Sequence, residues 1–457
     1  MEDSRPQPSV VFLHWLIIVL AAVAVRAALA LIFSPLVAPD TSSYVDTAAQ
    51  LAGGDYSAYI GARPPVYPLL MHLLGYSVIR IVLFQHLAGI AVALILYAVF
   101  HRITGCRRLA LAAGISQAVN PFQAVIEQAL LSEAFTALLV ASTVALYVLA
   151  LDNPCKLLYA LATGVAAALS GLSHPQFVFL PFLAAFGLGL KSWLEGRRPA
   201  AAAVVAAAVL PGVLLLGGWC SFNYSKINYF GLTTTVGISL ITHTGAFIED
   251  APERYDEIRR VYLEHRSIEV AQTGSQSSTI FRALKDLERA TGLDYAGLSR
   301  ELTWLSVTLI LRSPLKYLRS AARSFARFWL PAWYTGQGGV RTVMSSGEAP
   351  MMLLVGTFTL VHLGLSLLFL LFPLLYVYSG RLKKPLRFDF QLASIYALVF
   401  ATSLVQALAN SEGNPRYELP VEPFVMAVAA VALLLMIKRV KEGSHTEELP
   451  RKAPGMA

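Results

Sequence analysis

Apolar residues in this chain come in long, nearly unbroken runs rather than in the short alternations of a soluble fold. Ten stretches stand out, at 10–33, 79–100, 108–124, 130–151, 157–172, 176–192, 199–221, 350–379, 388–409 and 419–437. A helix needs about 20 apolar residues to cross the hydrocarbon core, so the third, fifth and sixth runs are short candidates. The pattern predicts an all-α polytopic membrane protein of about ten transmembrane helices. The first run follows Arg5 and exceeds the roughly 7–15 residues of a signal-peptide core, so it reads as a spanning helix and not a cleaved leader.

Two polar-rich segments, 34–78 and 222–349, are too long to be simple connections. The second carries helical patterns at 251–265 and 278–291 and reads as a folded module outside the membrane. The expected organisation is a transmembrane core over 1–221 with a first loop at 34–78, the module at 222–349, transmembrane helices over 350–440, and a disordered tail at 441–457. No internal repeat is visible.

Composition agrees. The chain is 56% hydrophobic and 14% charged with mean hydropathy +0.59, against about 25% charged residues in a soluble domain. A net charge of +8 raises the question of nucleic acid, but most Lys and Arg sit in short loops between apolar runs, which is a topology signal. Arg102, Arg107, Arg108, Lys156, Lys191, Arg197, Arg198, Arg381, Lys383, Lys384 and Arg387 fall on one side, with Lys438, Arg439 and Lys441 of the C-terminus. The other short loops hold only Arg63, Arg80 and Arg416. Basic residues stay cytoplasmic, so both termini are expected inside and both long segments outside, in a bacterial inner membrane. Cys106, Cys155 and Cys220 have no metal-ligand spacing, and no disulfide framework is expected.

The candidate chemistry gathers at the outer ends of the runs. Asp40 precedes a helical stretch, 44–52, that Gly53-Gly54 closes; as a helix start it is an N-cap, with Tyr44 on the same face. Functionally, it is a carboxylate at the water–lipid boundary that can take a proton from an acceptor hydroxyl. Asp46 reads as solvated and Asp55 as a turn residue. Arg63-Pro64-Pro65-Val66-Tyr67-Pro68 predicts an extended, stiff lead-in to the bilayer, and Arg63 at that depth suits a lipid phosphate. Glu127 and Glu133 flank the start of the fourth run, where negative charge favours a helix N-terminus and can also line a site. His174 reads as a turn residue or a phosphate contact. Arg26, inside the first run, either snorkels or faces a cavity; with Arg63 and Arg416 it would form a phosphate clamp. Arg312, Lys316, Arg319, Arg323 and Arg327 share an arc of about 80° opposite Leu311, Leu315, Leu318, Ala322, Phe325 and Trp329. This predicts an amphipathic interfacial helix over about 311–330.

Asp40-x-x-x-Tyr44 after the first run, followed by Arg63-Pro64-Pro65-x-Tyr67-Pro68, resembles the GT-C superfamily of polyprenyl-phosphate-sugar-dependent glycosyltransferases. The similar families are protein O-mannosyltransferases and the aminoarabinose transferase of lipid A. Leu130-Leu131-Ser132-Glu133, Ser173-His174-Pro175, Trp219 with Asn223, Arg312-Ser313-Pro314-Leu315-Lys316-Tyr317 and Arg416-Tyr417-x-Leu419-Pro420-x-x-Pro423 extend the likeness over nearly the whole chain. Thr41 follows Asp40 where protein mannosyltransferases tend to carry a second acid. The resemblance implies inverting transfer of a hexosyl or pentosyl unit at the outer membrane face, from a polyprenyl-phosphate sugar donor to a lipid, glycan or protein acceptor. Asp40 is then the base, Arg63, Arg416, Arg26 and His174 hold the donor phosphate, and Tyr44, Tyr67, Glu133 and Glu127 line the substrate. A divalent ion held by Asp40 and Glu133 is left open, since no Asp-x-Asp or His cluster occurs. The competing classes are a secondary transporter, disfavoured by polar residues at one boundary and no inverted repeat, and a non-catalytic envelope-assembly protein. Nucleic acid is not an expected partner.

Overall fold

The structure, a computed structural model, describes residues 8–32, 34–152, 156–330, 348–379, 390–411 and 415–447. Cys155, the basic stretch 381–387 and the tail beyond Glu447 fall outside these residues, as does the end of the expected module before Glu348. Eight described helical spans are long and apolar enough to cross a membrane: they fall on α1 (Pro8–Ile32), α4 (Val78–Thr104), α7 (Glu133–Asp152), α8 (Lys156–Ser173), α9 (Leu180–Leu194) with the helical turn from Pro175 ahead of it, α10 (Arg198–Ile227), α16 (Glu348–Ser379) and α17 (Phe390–Ala409). The chain is a multi-pass helical membrane protein. A ninth apolar stretch, Glu422–Ile437, is shorter and opens α18 (Glu422–Glu447).

The expected run 108–124 is not one helix. It divides into α5 (Arg107–Ala118) and α6 (Pro121–Ile126). Pro121 has no N–H to continue the ladder, and the Asn120 side chain accepts from the amides of Phe122, at 3.0 Å, and Gln123, at 3.4 Å, starting a new helix. At 221 the expected boundary is also passed, because α10 continues to Ile227 before Asn228 ends it in the left-handed region at φ 51°.

The first loop folds against the bundle. It holds α2 (Thr41–Gly53), stopped by Gly54 at φ +71°, and α3 (Val66–Leu73). Pro65 was expected to be extended, yet it lies in the helical region and opens α3, a conformation its fixed φ suits. Ahead of α2, Leu36 makes an isolated parallel bridge to Ala129. Its amide donates to the Gln128 carbonyl, and the Leu130 amide donates back to the Leu36 carbonyl, both at 2.9 Å. The Gln85 amide of α4 braces this link from below, donating to the carbonyls of Glu127 and Ala129.

After α10 the chain forms α11 (Val236–Thr244), α12 (Asp256–Thr273), α13 (Thr279–Thr291), α14 (Tyr295–Arg312) and α15 (Pro314–Phe328). These carry a core of their own, with Ile241, Ile248, Tyr262, Leu287, Leu302 and Leu309 fully buried. The segment leading into it is fastened to α10 and the first loop: Trp219 Nε1 donates to the Leu232 carbonyl at 3.0 Å, Asn223 Nδ2 to the Gly231 carbonyl at 2.7 Å, and the Thr234 amide to the Gly61 carbonyl at 3.0 Å. Gly61 is required there, since it sits at φ +68° and a Cβ would come within 2.6 Å of Ile227.

The single helix expected over 311–330 is broken at Ser313, because Pro314 starts α15 afresh. That helix has three faces rather than two. Ser320, Ala321, Ser324 and Phe328 are buried, Leu315 and Leu318 are exposed, and so are Lys316, Arg319, Arg323 and Arg327 on a third side. Lys316 and Arg312 do not point at an empty site: both bind Asp250.

Candidate functional site

Four charged side chains from distant parts of the chain meet at one end of the bundle. Asp40 stands at the start of α2, where it was expected to cap. It does not: its backbone is at φ −72°, ψ −18°, outside the extended region a capping residue uses, and its side chain makes no cap bond. Thr41 takes the local role, accepting from the Ala38 amide at 2.9 Å and donating to the Leu130 carbonyl at 3.0 Å. The carboxylate is thereby free to face the arginines.

Arg63 Nη2 lies 2.8 Å from Asp40 Oδ1, and Arg416 Nη2 binds Asp40 Oδ2 from 376 residues away in sequence. Arg416 Nε lies 3.1 Å from Glu133 Oε1, at the first turn of α7. Arg63 is held in place by Ser43 Oγ, which accepts from its Nε at 2.8 Å, and by the ring of Tyr44, 4.5 Å below the guanidinium. The Tyr44 hydroxyl lies 3.1 Å from Ser132 Oγ, so α2 and the α6–α7 link are tied at the site itself. Tyr67 stands one layer back, stacked edge-on against Tyr44 and donating to Gln85 Oε1 at 2.9 Å.

Electrostatics follow from this geometry. Burial alone would raise the Asp40 carboxyl, but Arg63 and Arg416 outweigh it and hold the group at about 2. His174, at the turn between α8 and α9, is pushed down to about 3 by burial first and then by Arg416 and Arg63. It is a neutral imidazole, so it contributes a hydrogen-bonding ring and not a positive charge to any phosphate.

The structure separates the residues expected as one group. Asp40, Arg63, Arg416, Glu133 and Tyr44 come together, with His174 on the wall of the adjoining cavity. Arg26 and Glu127 form a second cluster. Arg26 Nε and Nη2 donate to the two Glu127 carboxylate oxygens at 2.7 and 2.6 Å, and Nη1 to the carbonyls of Ala22 and Ala118. With four of its five N–H donors engaged there, Arg26 stands apart from Asp40, Arg63 and Arg416, and Glu127 is engaged away from Asp40.

A cavity of about 260 Å³ opens beside the first cluster, with Arg63, Arg416, His174 and Tyr417 on its wall. Its remaining wall comes from the end of α17 and from Thr233, Thr235 and Ser239 of the module. Below it, a second cavity of about 200 Å³ is lined almost wholly by apolar residues, among them Val144, Leu180, Leu183, Phe186, Ile395 and Leu398. Both are bordered by the same pair of segments. Gln176 ahead of α9 and Gln406 of α17 line the polar one, while Leu180–Leu190 and Phe390–Leu398 line the apolar one. From Leu398 to Val405 the helix advances only about 10 Å.

Sequence reasoning missed Ser43, Gln176, Gln406 and the anchor behind Arg416. His362 Nδ1 of α16 lies 3.2 Å from Glu422 Oε1, and Glu422 also accepts from Asn120 and Gln123, so the turn bearing Arg416 is held by three helices. A histidine and a glutamine inside apolar runs were the available signals.

As for a divalent ion, the residues do not fit one as arranged. Two guanidinium groups occupy the approaches to Asp40, one of them also on Glu133, and no group of three or more His, Cys, Asp or Glu side chains assembles among the described residues.

No family model matches the sequence, and no curated protein matches it. Solved structures do. The archaeal oligosaccharyltransferase AglB from Archaeoglobus fulgidus, in complex with an inhibitory peptide and a dolichol-phosphate, superposes with a TM-score of 0.51 at 12% identity, over 98% of this chain and 52% of that one. The oligosaccharyltransferase of the same organism matches in its apo form with a TM-score of 0.52 at 14% identity, over 98% and 52%, and in complex with Zn and sulfate with 0.51 at 14%, over 93% and 49%. The chain thus spans about half the length of these neighbours. At such identity the likeness concerns architecture, and it covers nearly the entire chain: this protein shares the fold of about half of these archaeal oligosaccharyltransferases.

Proposed function

We propose that the chain is an integral-membrane inverting glycosyltransferase that moves a sugar from a polyprenyl-phosphate donor to an acceptor hydroxyl at the outer face of the membrane. The observation that carries this reading is the Asp40 carboxylate held between Arg63 and Arg416 at the mouth of a polar cavity, with an apolar one beneath it along the same helices. A lipid phosphate bearing a sugar has this distribution of polarity: an anion, a hydroxylated ring and a long hydrocarbon tail. The dolichol-phosphate in the structural neighbour supports a lipid phosphate as ligand.

A carboxyl held at about 2 is a weak base. The donor changes that. Its phosphate oxygens compete for the two guanidinium groups, and as the arginines turn to the phosphate, the carboxyl is released and its proton affinity rises. The acceptor oxygen then attacks the anomeric carbon from the face opposite the phosphate and gives its proton to Asp40. The bond from the anomeric carbon to the phosphate oxygen breaks, and its electron pair stays on the phosphate. Arg63 and Arg416 stabilise the charge gained there. The products are the inverted glycoside and polyprenyl phosphate.

Incubating the purified chain with labelled polyprenyl-phosphate sugars and a panel of lipid, glycan and peptide acceptors tests the reading. Transfer by wild type that Asp40→Asn lacks supports it, and wild-type turnover in Asp40→Asn overturns it. Orientation is tested separately. The cytoplasmic bias of basic residues puts both termini inside and the module outside, and Val270, 43% exposed on α12, offers the site. A cysteine placed at position 270 should react with an impermeant reagent on intact cells; reaction only after permeabilisation inverts the topology.

A further inference from the structure

The polar cavity holds three buried atoms with no hydrogen-bond partner among the described residues: His174 Nδ1, Gln176 Oε1 and Gln406 Nε2. Buried polar atoms left unpaired are uncommon because each forfeits its hydration, and here three belong to residues that line one cavity. Their chemistry is mixed. The Gln176 amide nitrogen donates to the Tyr417 carbonyl at 3.1 Å, which leaves its oxygen as an acceptor. Gln406, only 4% exposed, supplies an amide donor from the opposite wall. The ring of His174 packs edge-on to Tyr417 with centroids 5.5 Å apart.

Paired donors and acceptors without net charge match hydroxyl groups, each of which gives one hydrogen bond and takes another. The charged side chains on the wall are Arg63 and Arg416, and no carboxylate lines it. An ammonium group placed there would meet two guanidinium groups, and the carboxylate nearest them, Asp40, lies outside the wall and is already paired with both. At about 260 Å³ the space is below the range of about 300–1,000 Å³ that encloses drug-sized ligands, and it suits one ring rather than several.

We infer that this cavity reads a single neutral, hydroxylated sugar unit of the donor, with Gln406 donating to one ring hydroxyl, Gln176 accepting from a hydroxyl, and His174 completing the contact. The inference rests on the lipid-phosphate donor proposed above and names the class of sugar that donor bears. An amino sugar is rejected by the same wall.

Affinity measurements on the full chain in lipid nanodiscs test this without knowledge of the acceptor. The probes are bare polyprenyl phosphate, the same lipid carrying a neutral hexose, and the same lipid carrying a 4-amino pentose. In wild type the hexosyl lipid should bind at least tenfold more tightly than the amino-pentosyl one. Gln406→Met should lower the affinity ratio of hexosyl to bare lipid about tenfold, the size of one lost hydrogen bond, while bare lipid binds as in wild type and so certifies the fold. Gln176→Met should behave alike. Equal ratios in wild type and both variants, or preference for the amino sugar, overturn the subsite alone. Binding of none of the three lipids overturns the donor reading and the subsite with it.

Discussion

Among the described residues, the Arg26–Glu127 and Asp40–Arg63–Arg416 clusters are built from the same chemical groups and opposite in character. In one, Arg26 meets Glu127 side by side, with His86 Nδ1 a further 2.8 Å from the carboxylate; exposure is 4% and 1%. Gly89 lets them pack, since a Cβ there would come within 1.8 Å of Glu127 Oε1. In the other, Asp40 is shared between two arginines, Arg416 is shared between two acids, Asp40 and Arg63 keep 30% and 21% exposure, and a cavity adjoins. In the first, both Glu127 oxygens are paired with Arg26 and the pair is closed to solvent, so it locks α1 to the α6–α7 link. The second has interchangeable partners and an open side, so an incoming anion can rearrange it. Charge alone does not distinguish a lock from a site; spare geometry does.

The sharpest way to break this contrast is to neutralise each acid in turn. Asp40→Asn should cut transfer by about 10²–10⁴-fold with the fold retained, because it removes the proposed base while keeping the shape. Glu127→Ala should do the reverse. Stranding Arg26 in an apolar interior costs about 3–5 kcal/mol of stability, seen as a lowered unfolding temperature in detergent, while turnover per folded molecule stays near wild type. Loss of turnover without loss of stability in Glu127→Ala would move that cluster into the site. Next in size is Arg416→Lys, which keeps the charge but not the fork that bridges Asp40 and Glu133. Transfer should fall about tenfold to a hundredfold, the worth of one charge-assisted hydrogen bond, measured as kcat/KM.

The smallest effect is the one of pH. Asp40 is held at about 2, below its ordinary 3.8. Its ion pairs therefore stabilise the folded chain fully above about pH 4, and that contribution drains away as pH falls from there toward 2. Thermal unfolding of wild type against Asp40→Asn should converge across that window. In turnover, the acid limb of kcat should lie at higher pH than that of kcat/KM, since the donor-bound state releases the carboxyl from its arginines.

Much of this was legible in the sequence, for a physical reason. Asp40, Arg63, Glu133 and Arg416 are charges at the ends of apolar runs, and the membrane confines run ends to two planes, so residues far apart in sequence are brought to one depth. Depth is not azimuth, however. Arg26, inside α1, turns toward Glu127, and no one-dimensional pattern shows which side of α1 that is. The break at Asn120-Pro121 follows from cap and proline chemistry, which the continuous apolar run around it masks. Gln176 and Gln406 carry no charge to mark them, and only their unpaired buried atoms make them visible.

The short bridge between Leu36 and Ala129 has a thermodynamic consequence. A loop of 34–78 would ordinarily be among the first parts of a chain to open, and ordering it on binding would cost conformational entropy taken from substrate affinity. Here the backbone ahead of Asp40 is paired at Leu36 before any ligand arrives, and Gln85 braces the partner strand from within a helix. The entropy is surrendered at folding, so the carboxylate stands in register while the loop waits. The amides of Leu36 and Leu130 should accordingly exchange with solvent at the slow rate of the bundle core, far behind the tip of the same loop around Asp55.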